Sequence, residues 1–313
     1  MRLSIVFAAL LAATWIVPAA AQAKINIFAC EPEWAGLAKE LTGKAANVVS
    51  AVDGQQDPRV VEITDKLVSE IKKANLVICS GSGLEDRWLP DLLKKTPNPS
   101  IQMGASANLM TSNYVIPLGQ PATLEDETPA NSPDQDTLDA DAGTGGNPHV
   151  HLNPHNIMLV AEELQKRLTE IDPDNRSLYD KLYNSFFNRW QDAMDNWEQQ
   201  AAGLFGVRVA TEDDSWAYLI DWLGLVKVAT IEDTPGKQPD AADVKVLIAK
   251  LKKRPVRAIL RTPFGHDSAT KEVSSAVGAP IMVLPYTVGG DKESDDLFAL
   301  FDQTLKMLER LRS

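Results

Sequence analysis

Lys24-Ile-Asn-Ile-Phe-Ala-Cys-Glu-Pro-Glu-Trp-Ala-Gly-Leu-Ala-Lys-Glu-Leu-Thr-Gly-Lys-Ala-Ala-Asn-Val-Val-Ser-Ala-Val52 is the stretch that decides the fold. Ile25 to Cys30 is a short apolar run, the pattern of a strand covered on both faces. Glu31-Pro32 then starts a helix over Pro32 to Thr42, because proline lacks an N–H that the first turn does not need, and Gly43 stops it. Asn47 to Val52 is a second strand. A strand, a helix and a strand joined by short turns predict two parallel neighbours with the helix on one face.

The alternation continues outward. Thr64 to Lys73 is amphipathic, Leu76 to Ser80 is a strand, Leu84 to Lys95 is helical with an interruption at Pro90, and Ile101 to Met103 is a candidate fourth strand. Farther on, Ile157 to Ile171 is a helix that Asp172-Pro173 breaks. Asn175 to Leu204 carries Leu178, Leu182, Phe186, Trp190, Met194 and Trp197 at helical spacing, an apolar stripe about seven turns long. A second set of strands follows at Val207–Thr211, Val226–Thr230, Val256–Arg261 and Ile281–Leu284. Helices at Trp216–Leu223, Ala241–Lys253 and Ser268–Val277 lie between them, and a last helix spans about Ser294 to Leu311. The expected fold class is therefore α/β: two lobes, each a parallel sheet flanked by helices, joined by a long rigid linking helix. The expected division is an N-terminal lobe over 24–171, a linking helix over 172–205 and a C-terminal lobe over 206–313. The segment 119–146 is acidic, rich in Pro, Thr and Gly and nearly free of apolar residues, so it reads as a flexible loop.

The 313 residues are 24% charged and 44% hydrophobic, enough for two cores of moderate size. A net charge of −12 argues against nucleic acid, whose phosphates need a basic face, and against an anionic membrane surface. Arg2, the apolar run Leu3 to Val17 and Ala21-Gln22-Ala23 have the layout of a secretory signal peptide over 1–23. No cysteine follows that cleavage site to take a lipid. A periplasmic protein is expected, not embedded in the membrane. In such a compartment Cys30 and Cys79, at the ends of two predicted strands, are open to a disulfide or to two buried thiols.

Gly146-Asn-Pro-His-Val-His-Leu-Asn-Pro-His-Asn156 holds three of the four histidines, His149, His151 and His155. Imidazole is the commonest metal ligand near neutral pH, and turn or cap residues between two prolines are the alternative reading. His266 follows a second-lobe strand, where a local pairing with Asp267 is the simpler account. Ser80-Gly-Ser-Gly83 is not G-x-S-x-G, and Gly143-Thr-Gly-Gly146 does not join a strand to a helix. No triad or phosphate loop is assembled, and an enzyme is not expected.

Taken together, several motifs resemble the metal-binding solute receptors of ABC importers, chiefly the zinc and manganese uptake family. They are the initial strand, Gln56-Asp57-Pro58, Ala74-Asn75-Leu76-Val77, Gly81-Ser82-Gly83-Leu84-Glu85, the acidic loop, Asn147-Pro148-His149-Val150-His151-Leu152-Asn153-Pro154 and Trp216-Ala217-Tyr218-Leu219. The likeness covers essentially the whole mature chain. It implies one divalent ion, zinc ahead of manganese, held between two lobes by a monomer that docks on a membrane permease.

The resemblance also implies where the ligands fall, and there the chain departs from the pattern. Family members take three histidines and a carboxylate from four loops. His149 matches one of them. The position after Asp57-Pro58 is Arg59, the third ligand falls at Asp213, and the fourth falls near Thr287, with Asp291 the nearest carboxylate. A guanidinium has no lone pair to give a metal. Two expectations follow. In one, Arg59 swings aside and His149, Asp213 and Asp291 bind, with His151, Glu212 or Asp214 as further donors. In the other, Arg59 pairs with Asp213 in place of the metal, and the chain is a metal-independent binding or accessory module. His151 stands where the family has Trp, which favours packing or hydrogen bonding, and His155 is expected to cap or begin the next helix.

Overall fold

The structure, a computed structural model, describes residues 23–118 and 146–312 apart from 233, 235 and 267. The expected signal peptide and nearly all of the acidic loop lie outside the described residues. The first lobe is a parallel sheet of β1 (Ile25–Ala29), β2 (Ala46–Ser50), β3 (Leu76–Cys79) and β4 (Asn108–Met110), in the order β2-β1-β3-β4. The second repeats that order as β6-β5-β7-β8, from β5 (Arg208–Thr211), β6 (Val226–Thr230), β7 (Ala258–Arg261) and β8 (Ile281–Val283). Pairing is parallel throughout, with Ala29 beside Ile78 in one sheet and Thr211 beside Leu260 in the other.

Local signals set most element limits. α1 (Pro32–Thr42) begins on its proline and ends at Gly43, whose φ of 53° suits a residue without a Cβ. α2 (Asp65–Lys73) is capped by the Thr64 hydroxyl accepting from Leu67 N. Two expectations need correction. Residues 84–95 hold only a short α3 (Leu89–Leu93), because Ser82 takes a left-handed φ of 50° and the Glu85 carboxylate accepts from the Ser80 and Gly81 N–H groups, which folds that stretch into turns. Pro90 sits in the first turn of α3 and does not interrupt it. Ile101 to Met103 is not a strand. Asn98 caps a single 3₁₀ turn over Pro99–Ile101, and Asn108 Nδ2 donates to the Ile101 carbonyl, so the fourth ladder starts at Asn108.

α4 (Pro154–Ile171) leads through a 3₁₀ turn into α5 (Arg176–Ala201), the helix between the sheets. In the second lobe follow α6 (Ala217–Leu223), α7 (Ala241–Lys253) and α8 (Ser268–Val277). The chain ends in α9 (Leu297–Leu308), which returns to pack on α5 and α1. An aromatic cluster joins them: Trp190 lies 4.8 Å from Phe298, and Trp197 stacks 4.9 Å from Phe301. The Trp197 indole donates to Asp302 Oδ1 at 2.6 Å, satisfying its N–H where it is buried. The sequence stripe on α5 is thus core, and part of what covers it comes from the chain's far end.

The lobes touch along the carboxyl ends of their strands. Gly54 packs on Gly289 and Gly290 so closely that a Cβ on it would fall 2.2 Å from the Gly289 carbonyl carbon. Gln55 Nε2 donates to the Gly290 carbonyl across the same seam. No helix among the described residues is long and apolar enough to cross a membrane.

Candidate functional site

The seam collects the loops that follow the strands, where open α/β sheets bind ligands. Arg59 stands in the loop after β2. The Trp88 indole holds this loop by donating to the Pro58 carbonyl at 2.9 Å. Arg59 is clasped by Asp57, with Nε on Oδ1 at 2.9 Å and Nη2 on Oδ2 at 3.0 Å. Its Nη1 crosses to Asp213 Oδ2 of the second lobe at 3.2 Å. Phe264 lies against the guanidinium, 6.0 Å from ring centre to Cζ. Burial disfavours the guanidinium charge, but Asp57 and Asp213 more than offset this and raise its pKa above the ordinary value. The cation is permanent.

His149 is placed by Asn147, whose Oδ1 accepts its backbone N–H while Nδ2 reaches the Asp214 carbonyl at 2.9 Å. The ring is buried, with Nδ1 2.5 Å from the Tyr286 hydroxyl. Burial first, then the neighbouring His151 and the Arg59 charge, push its pKa well below the ordinary value, so the imidazole is neutral. In the tautomer with the proton on Nδ1, donated to the Tyr286 hydroxyl, Nε2 keeps the lone pair a metal needs. Tyr286 holds its proton as well, since burial and the carboxylates of Glu33 and Glu31 raise its pKa.

Asp213 is 3% exposed, and its second oxygen accepts from Ser215 N at 3.0 Å. Asp214 turns to Lys227. Glu212 is buried against Gly265, and burial, then Asp213 and Glu232, push its pKa up to about 8. Asp291 is engaged elsewhere: its Oδ2 accepts from Gln303 on α9 at 3.0 Å, and its backbone N–H donates to Ser294 Oγ at 3.0 Å. Thr287 donates to Glu33. Among the described residues, His149, Asp213 and Asp291 do not bring three donor atoms within 4.8 Å of one another; the one group that does is Cys30, Cys79 and Glu85.

The remaining histidines separate by role. His151 Nε2 is 3.0 Å from the Tyr286 carbonyl, which can only accept, so that nitrogen carries a proton. Its Nδ1 is 3.1 Å from Glu33 Oε1, at ion-pair distance but out of line for a hydrogen bond. His155 begins α4 and pairs with Glu198 at 3.0 Å, while Asn153 is the cap. His266 faces Glu232 at 3.6 Å, and Asp267 lies outside the described residues.

Sequence reasoning missed Tyr286 and Glu33 as functional neighbours. Tyr286 touches both buried histidines and Phe264, with ring centres 5.0 to 5.4 Å apart. Nothing in its spacing marks it. The one available signal was a buried-type aromatic in the loop expected to close the site.

Two parallel-sheet lobes, a helical strut between them and a seam of strand-end loops holding a buried imidazole define the fold of a two-lobed binding protein. The match to known proteins gives the same class. The family model described as "ZnuA: Zinc-uptake complex component A periplasmic" matches residues 27–311, and the chain belongs to that family. It is 23% identical to the manganese ABC transporter substrate-binding lipoprotein scaA of Streptococcus gordonii, over 87% of this chain and 83% of that protein. It is 22% identical to the high-affinity zinc uptake system protein ZnuA of Bacillus subtilis (strain 168), over 82% and 77%. A crystal structure of ZnuA superposes with a TM-score of 0.73 at 20% identity, covering 93% of this chain and all of that one, a likeness of fold. Proteins of this kind are substrate-binding receptors, not enzymes.

Proposed function

We propose that the chain is the periplasmic receptor of an ABC-type importer, capturing a divalent cation between its lobes and handing it to a membrane permease. Zinc is the first candidate and manganese the second. The observation that carries this reading is the convergence on Arg59. Its charge is felt by His149 of the first lobe, and its guanidinium touches Asp213 of the second. A neutral imidazole and a carboxylate from opposite lobes make a donor pair that suits zinc, whereas a set with more carboxylate would move toward manganese. Loading requires Arg59 to leave Asp213 and remain on Asp57. Asp291 could join as a third donor only after releasing Gln303.

The same contact supports a second reading. The Arg59–Asp213 pair satisfies both charges at the position a metal would take, and the receptor fold would then bind or signal without a metal. Calorimetric titration of protein purified without a His tag, with zinc and then manganese, separates the two. The metal reading predicts one site that His149→Ala abolishes. Binding no tighter than millimolar and indifferent to His149→Ala leaves the metal-independent receptor.

A further inference from the structure

The loop after β8 brings Tyr286 and Thr287 to the seam, and the first lobe grips both residues. Glu33, in the first turn of α1, is fully buried, and its Oε2 accepts from the Thr287 hydroxyl. His151 grips one residue earlier: its Nε2 is 3.0 Å from the Tyr286 carbonyl. The two grips are joined, because His151 Nδ1 stands 3.1 Å from Glu33 Oε1 with both side chains wholly shielded from water. Trp34 of α1 meets the His151 ring edge-on at 6.3 Å and Tyr286 meets it at 5.0 Å, packing that restrains its rotation.

The Tyr286 side chain leaves this loop for His149. Its hydroxyl stands 2.5 Å from His149 Nδ1, and the two rings meet edge-on with centres 5.4 Å apart. The loop does not fix that placement by itself. It has no regular structure between β8 and α9, and it turns at Gly289, whose φ is 78°. Pinning the Tyr286 carbonyl sets the direction in which its side chain leaves the backbone, and with it the place of the hydroxyl. Packing alone does not call for an imidazole at position 151. A hydrocarbon ring would fill the space without two buried nitrogens, whose desolvation has to be offset. What the imidazole adds is a donor aimed at the Tyr286 carbonyl.

We propose that His151 is a positioning residue for the metal ligand, an inference that rests on the reading of His149 as a donor. By holding the Tyr286 carbonyl, with Glu33 steadying both His151 and Thr287, it sets the Tyr286 hydroxyl against His149 Nδ1 and keeps His149 in the tautomer whose Nε2 is left for the ion. His151 and Glu33 belong to the first lobe, Tyr286 and Thr287 to the second. His149 is therefore oriented only while the lobes are joined, and orienting the ligand and joining the lobes are one event.

The test reads His149 in two ways: the ¹⁵N spectrum of its ring in metal-free protein, and zinc titration by calorimetry. The parent chain should show one neutral tautomer of His149 with the proton on Nδ1, its signals identified by their loss in His149→Ala. His151→Phe keeps a ring and removes the donor. It should give a mixture of His149 tautomers and weaken zinc binding about 10–100-fold, the range for losing a partner that orients a ligating imidazole. His151→Gln, whose amide donates to the same carbonyl, should restore the single tautomer and most of the affinity. Tyr286→Phe should match the loss in His151→Phe, and the double variant should lose no more than either alone. The proposal is overturned if His151→Phe leaves both readings as in the parent, if His151→Gln does no better than His151→Phe, or if the two single losses add. A His149 proton on Nε2 in the parent overturns it too, as does a single parent-like tautomer in Tyr286→Phe, whether or not His151→Phe folds. A parent chain that takes no zinc defeats the metal reading alone, and the ring spectra of the metal-free variants still decide the positioning.

Discussion

Replacing Arg59 tests the competition between a guanidinium and a metal for Asp213. The two charges meet at 3.2 Å with Asp213 almost wholly buried, and their charge centres are about 4 Å apart. At the effective dielectric of such sites the attraction is about 4 kcal/mol. Separation leaves Arg59 on Asp57 and Asp213 on the Ser215 N–H, so about 2–3 kcal/mol is the net cost of clearing the carboxylate for an ion. That cost lowers zinc affinity by a factor of about 30–150 at 1.4 kcal/mol per decade. Arg59→Met, which fills the space without charge, should therefore tighten zinc binding by roughly that factor. Arg59→His should tighten it further by adding an imidazole, and Arg59→Lys, which keeps the charge, should leave it nearly unchanged. Calorimetry at one pH and salt concentration reads all three. The competition argument is wrong if Arg59→Met binds no more tightly than Arg59→Lys.

Further expectations concern stability and closure. Burial pushes the Glu85 carboxyl up to about 7, and burial with Glu85 and Glu33 nearby raises Glu31. Between the ordinary value near 4.5 and about 7 the folded chain holds a proton that the unfolded chain has lost, so stability is full below about pH 4.5 and declines as pH rises to 7. Thermal melts of Glu85→Gln between pH 5 and 8 should show a shallower slope than the parent chain. Removing the bridge with Cys30→Ser and Cys79→Ser frees a loop of 49 residues and should cost about 2–4 kcal/mol in denaturant titration; an unchanged midpoint would count against its structural role. Gly54→Val puts side-chain atoms where Gly289 and Gly290 stand and should hold the lobes apart, read as a larger radius of gyration in solution scattering with the melting temperature of each lobe little altered.

The sequence alone determined the alternation of strands and helices, since buried strands, capped helices and glycine stops are written in neighbouring residues. The limits of α1, β6, α7 and α8 coincide with those read from the chain. Local reasoning went astray at 84–103, where the deciding partners, Glu85 on the Ser80 N–H and Asn108 on the Ile101 carbonyl, come from other turns. Spacing also placed His149, Arg59 and Asp213 at strand-end loops, because each stands at a fixed offset from a motif. Only the tertiary structure decided what those side chains meet. Arg59 is shared between Asp57 and Asp213, His149 leans on Tyr286, Asp291 is tied to Gln303, and Cys30 is bridged to Cys79 beside Glu85. Each contact except Arg59–Asp57 joins segments far apart in the chain or in different elements. Such contacts depend on how two sheets, a linking helix and the returning α9 pack, which no periodicity of neighbouring residues encodes.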